Sequence, residues 1–231
     1  MIITRNMTIT KAASYWNPIS GTHSLPWSLP SALPCSQFKG FPFPPNSIRG
    51  RRWGKVGSTI SSPSNIIAEM GEGNYMLALD MVISWGGMNR TINHIYTTSS
   101  SWKSSTTGQN INTDISRMVV DIQSTHNIAN SWTICRRDLN WSSVITSKFL
   151  HFLYRSIYPS DVEVPVVYDN AKINNCLAKD FYAKTGVRLF PVTGVSSYSE
   201  YECYLNAIFE WRKILGWATT TDVEATIFAG Y

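Results

Sequence analysis

Two residues in the segment SKFLHFLYRSIYPSDVEVPVVYDNAK (Ser147–Lys172) combine reactive chemistry with an unfavourable setting. Lys148 stands at the head of a helix-like stretch that is apolar nearly all round, and Asp169 follows a run of valines. A charge taken out of water is costly unless it is paired or neutralised. Either the two belong to a buried ion pair, or they are an amine nucleophile and a carboxylate that serves it. Desolvation and the positive end of a helix dipole both disfavour the ammonium form, so the sequence predicts a depressed pKa for Lys148. An amine of this kind attacks a carbonyl carbon, or a sugar carbon as a base departs. Asp169 falls at the start of the next expected helix, beyond the Pro165 turn. There it would cap free N–H groups, stay ionised, and stabilise positive charge on a sugar ring or help activate the nucleophile. The competing readings are structural: Lys148 snorkels its amine to the surface, and Asp169 is an N-cap alone.

The elements that must position these residues are expected to be helices. Residues 1–65 form an irregular arm punctuated by prolines, as in HSLPWSLPSALPCSQFKGFPFPPN. A helical domain over 66–231 follows, with its first helix beginning near Pro63. Glycines near Gly71 mark a break, and YMLALDMVISW reads as a buried helix ending at Gly86. TTSSSWKSSTTGQN is expected to be a polar loop. NTDISRMVVDIQS and NIANSWTIC read as helices. So do NAKINNCLAKDFYAKTG, closed by Gly186, and the late segment ending at Gly216. TTTDVEATIFAGY is a last short helix with a capping Thr or Asp.

Composition bounds the function. The 231 residues carry 43% hydrophobic and only 15% charged side chains, a globular composition of one substantial domain or two small ones. Nine Trp and eleven Tyr suit a packed core or a pocket for a flat ligand. The formal charge of +5 permits an anionic partner without requiring one. IRGRRWGK gathers Arg49, Arg51 and Arg52, either as a solvated basic loop or as a patch for phosphates. Four scattered cysteines and four histidines show no metal-ligand spacing, so neither a metal nor a cofactor is expected. Neither a signal-peptide core nor a membrane-length apolar run is seen, which leads us to expect a cytoplasmic protein.

The order of these segments resembles the helix-hairpin-helix DNA glycosylases, the superfamily of 8-oxoguanine DNA glycosylase. The resemblance covers roughly Met76 to Phe228 and rests on LALDMVISWGGM, WSSVITSKFLHFLY, VPVVYDNAK and EYECYLNAIFEWRKILGWATTTDVEATIF. In that family a lysine follows the hairpin, and a VPVD-like turn supplies an aspartate at about the interval of 21 residues seen here. The resemblance implies a mostly α fold of this helix-hairpin-helix type, with a Pro-rich N-terminal segment. It implies Lys148 as the nucleophile that displaces the base and forms a Schiff base with the sugar, and Asp169 as the catalytic carboxylate. It also implies Asn206 as the amide that reads the base edge, and Phe209 or Trp211 as the ring that stacks on the flipped base. Ser142 and Ser143 would contact phosphate in the hairpin.

The chain departs from the family in three places. The hairpin, usually LPGVG, reads LNWSSVITSK and has no glycine; a four-cysteine cluster is missing; and the N-terminal arm is unlike a β-domain. Proteins of this prokaryotic group accompany type IV CBASS antiphage operons, beside enzymes resembling those of 7-deazaguanine synthesis. Two functions are therefore expected. One is a glycosylase, with possible lyase activity, acting on DNA that carries 8-oxoguanine or a 7-deazaguanine. The other is a non-catalytic recognition module that binds such a base, free, in DNA or on a partner protein.

Overall fold

The computed structural model describes residues 63–85 and 105–230, and among these it is helical with no strand. Contacts divide the chain into two compact units at Pro159 and Ser160. None of the described helices is long and apolar enough to cross a membrane.

The first unit contains helices α1 (Pro63–Gly71), α2 (Tyr75–Trp85), α3 (Ser105–Thr125), α4 (Ala129–Thr133) and α5 (Ser143–Ile157). A π-helical stretch, π1 (Ile134–Asp138), continues α4. Proline opens α1 at the position where its missing N–H costs nothing. Gly73, at φ 79°, turns the chain into α2, where Asn74 N–H reaches back to the Glu69 carbonyl at 2.8 Å. The helix α3 starts at Ser105, inside the segment expected to be a polar loop. Its apolar spacing begins only at Ile111, where Ile111, Ile115, Met118 and Ile122 turn one face inward. α5 packs against α1, α2, α3 and α4, so it is enclosed on several sides. Every residue from Ile145 to Tyr154 is buried.

The second unit contains π2 (Asn170–Leu177), α6 (Ala178–Thr185), α7 (Tyr198–Leu215) and α8 (Thr220–Gly230). Gly186 and Gly216 close α6 and α7 in the left-handed conformation, at φ 70° and 67°. α7 opens with a capping box, Ser197 with Glu200. α8 opens with a reciprocal pair in which Thr219 N–H donates to Asp222 at 2.9 Å and Asp222 N–H donates to Thr219 Oγ1 at 3.2 Å. Its core is aromatic and aliphatic: Phe181, Tyr201, Tyr204, Ile208, Trp211 and Ile227 are nearly or wholly buried.

Candidate functional site

Lys148 lies on α5, 5% exposed. Its helix starts earlier than the apolar pattern suggests, because Ser142 is the N-cap and Ser143 the first helical residue. Lys148 therefore sits in the second turn, beyond the reach of the helix dipole, which fades within the first. The expected dipole effect on its charge therefore falls away.

The element before α5 is a tight turn between two helices, Leu139–Ser142. Asn140 takes φ 51°, the left-handed conformation that glycine usually supplies and asparagine tolerates. This turn takes its left-handed residue from one Asn and contains no glycine. The widened π1 turn ends with Leu139 N–H on the Ile134 carbonyl at 3.0 Å and Trp141 N–H on the Cys135 carbonyl at 2.9 Å. Arg136 donates to the Trp141 carbonyl. Trp141 is 1% exposed and meets Phe149 edge-on, ring centres 5.1 Å apart. Ser142 is exposed and accepts from Ile145 N–H at 3.4 Å, while Ser143 is buried.

In the second unit, Asp169 caps π2. Its Oδ1 accepts from Ala171 N–H at 2.8 Å and Lys172 N–H at 3.0 Å. Oδ2 receives no hydrogen bond among the described residues. The approach to Asp169 is an extended run, Val164–Tyr168, that is buried without a partner strand. A buried backbone must still find its hydrogen bonds, and here hydroxyl side chains supply them. Tyr201 on α7 donates to the Val166 carbonyl, and Tyr204 to the Val167 carbonyl at 3.3 Å. Thr220 accepts from Val164 N–H at 3.1 Å and donates to its carbonyl at 2.9 Å. Tyr168 donates to Asn170 Oδ1 at 2.8 Å and accepts from Val195 N–H at 3.2 Å. Burial, then the Glu224 carboxylate, pushes the Tyr201 and Tyr204 phenols well above the usual tyrosine range, so both remain donors.

Asn206 is on α7, 5% exposed, and its Nδ2 finds no hydrogen-bond partner among the described residues. Phe209 is half-buried. Trp211 is fully buried, its ring 6.0 Å from that of Phe181. Arg49, Arg51 and Arg52 lie outside the described residues. Among the described residues no cluster of three or more His, Cys, Asp or Glu side chains is placed to hold a metal ion. An open groove of about 760 Å³ on the first unit is lined by Arg117, Asp121, Asn130 and Arg137, none of them a candidate from the sequence. Its arginines are already paired, with Asp114 at 3.1 Å and Asp138 at 2.7 Å.

The carbonyl clamp of Tyr201, Tyr204 and Thr220 escapes a sequence reading that follows charged groups. Its one signal is the pair of tyrosines three apart on a helix followed by a threonine, Thr220, at the start of the next. The chain matches no known protein family, no curated protein and no solved structure.

Proposed function

We propose that this is a helix-hairpin-helix, glycosylase-like protein that acts on a modified guanine in DNA, of the 8-oxoguanine or 7-deazaguanine kind, in antiphage defence. The observation that carries the reading is Lys148: an aliphatic amine, 5% exposed, on the helix that follows a four-residue turn between helices. Such a site withholds water from an amine, which suits attack on a sugar carbon. In this reading Lys148 attacks C1′, the base departs, and the ring opens to a Schiff base. Asp169, pinned at a helix start with one oxygen spent on backbone amides, is the carboxylate to which the resemblance assigns the role of opposing positive charge on the sugar. Ser142 and the Asn140 turn face the phosphate backbone, and Phe209 stacks on the extruded base.

Asn206 favours a second reading. A buried amide donor with no partner among the described residues costs stability, and a base that accepts its hydrogen bond would recover it. That role suits a recognition module as well as an enzyme.

Borohydride trapping separates the two. The full chain is incubated with oligonucleotides, duplex and single-stranded, bearing 8-oxoguanine, 7-deazaguanine or an abasic site. The enzyme reading expects a protein–DNA adduct that Lys148→Gln abolishes without changing the circular dichroism. No adduct from folded protein on any of these substrates leaves the recognition module; an undiminished adduct from Lys148→Gln removes Lys148 as nucleophile.

A further inference from the structure

The outer face of α6 carries a cation and an aromatic ring that the proposed reaction does not use. Leu177 and Phe181, four apart, are wholly buried. Lys179, Tyr182 and Ala183 are exposed, at the three- and four-residue spacing that sets side chains on one helical face. Gly186 ends the helix in the left-handed conformation, with its N–H on the Tyr182 carbonyl at 2.8 Å. Val187 and Leu189 beyond it are buried, so Arg188 between them is held outward. The Arg188 guanidinium stands over the Tyr182 ring, its carbon 4.3 Å from the ring centre. Neither Lys179 nor Arg188 makes an ion pair among the described residues, unlike the arginines of the first unit's groove.

Tyr182 is 43% exposed. A ring left in water beside two unneutralised cations is complementary to a partner that is both flat and anionic. An acidic peptide has the charge without the flat faces. A duplex has both, but stacks its bases on one another. An unpaired strand offers bases and phosphates together, and is bound by stacking on aromatic rings and guanidinium planes within a basic surface. We infer that this face of α6 binds single-stranded nucleic acid. A base stacks on the Arg188–Tyr182 pair, and Lys179 meets a neighbouring phosphate. The site needs no chemistry at Lys148 and adds a contact for unpaired strand to the proposed function.

Fluorescence anisotropy of a labelled thymidine oligomer, titrated with the full chain, tests this. Tyr182→Ala should weaken binding about tenfold, the scale of one lost stacked base. Tyr182→Phe, which keeps the ring, should bind as the wild type does. On an abasic strand of the same length, which keeps the phosphates alone, Tyr182→Ala should change nothing. Lys179→Gln and Arg188→Gln should each reduce the fall of log affinity with log salt concentration by about 0.7. Equal loss on the oligomer, on the abasic strand and on a duplex of the same sequence means that the ring serves the fold, and overturns the inference. Wild-type binding in Tyr182→Ala overturns it, as do salt slopes that neither cation changes. A full chain that ignores the thymidine oligomer overturns it too, and borohydride trapping on the lesion-bearing duplex then reports separately whether the glycosylase reading stands.

Discussion

The phenol of Tyr201, on α7, donates its proton to the carbonyl of Val166, three residues before Asp169. A side chain on one helix thus fixes the chain that delivers a candidate catalytic carboxylate. Tyr204 and Thr220 do the same for Val167 and Val164. Tyr201→Phe keeps the ring and strands a buried carbonyl, which costs about 1–3 kcal/mol. Urea denaturation should show that loss. The unfolded phenol ionises near pH 10 while the buried one resists. Its contribution is therefore whole below about pH 10 and is lost as pH rises further. The wild type should weaken over that range, and Tyr201→Phe should weaken less steeply. Parallel slopes would mean that Tyr201 ionises freely in the folded protein.

Asn140 should tolerate glycine and reject a β-branched residue. At φ 51° the turn before α5 is open to Gly at little cost, within about 0.5 kcal/mol. Asn140→Val should cost about 1–2 kcal/mol, because its Cβ is crowded in the left-handed region. Thermal unfolding of the pair checks this. Equal melting temperatures would mean that the turn does not need that conformation.

Gly194 has less freedom. It sits at φ 91°, and a Cβ there would come within 2.5 Å of the Tyr168 hydroxyl. Gly194→Ala should therefore displace Tyr168 from Val195 and destabilise the second unit by on the order of 1–3 kcal/mol. Double substitution with Tyr168→Phe should recover part of that loss, since the clashing oxygen is removed. Strict additivity in denaturation midpoints would contradict this contact.

Asn206→Leu should raise stability and lower base binding. The amide has a buried donor without a partner among the described residues, and an apolar side chain of similar volume removes that cost, about 1–3 kcal/mol. Calorimetry reports the stability. Fluorescence titration with 7-deazaguanine nucleoside reports the binding. A variant that is less stable than wild type would show that the amide is satisfied.

Much of the helical fold is legible from punctuation. Proline at Pro63, the glycines at Gly186 and Gly216, and the polar starts at Ser197 and Thr219 mark helix ends because each has a backbone reason to be there. The start of α3 is not legible, since Ser, Thr and Gly in SSTTGQ are weak helix formers and the apolar period starts at Ile111. A helix through NAKINNCLAKDFYAKTG is legible, but the widening of its first turns at Asn170–Leu177, and of Ile134–Asp138, is not. Lys148 and Asp169 stand out by sequence as polar residues in apolar company. The first turn of α5 does not, because Ser143, Thr146 and Ser147 are polar yet buried, so its true beginning is hidden and Lys148 reads as a helix head.

The run Val164–Tyr168 has a consequence for handling the protein. Three β-branched residues and a tyrosine in a stretch of five make a strong strand former in a structure whose described residues contain no strand. Intact, the carbonyls of Val164, Val166 and Val167 are occupied by hydroxyls and so are withheld from another chain. Pro165, which lacks an N–H, interrupts any ladder that might form. Once α7 and α8 pull away, the same five residues become a sticky segment able to pair with copies of themselves. Heating should accordingly end in aggregation instead of reversible unfolding, with α7 and α8 acting as the chain's own chaperone for VPVVY.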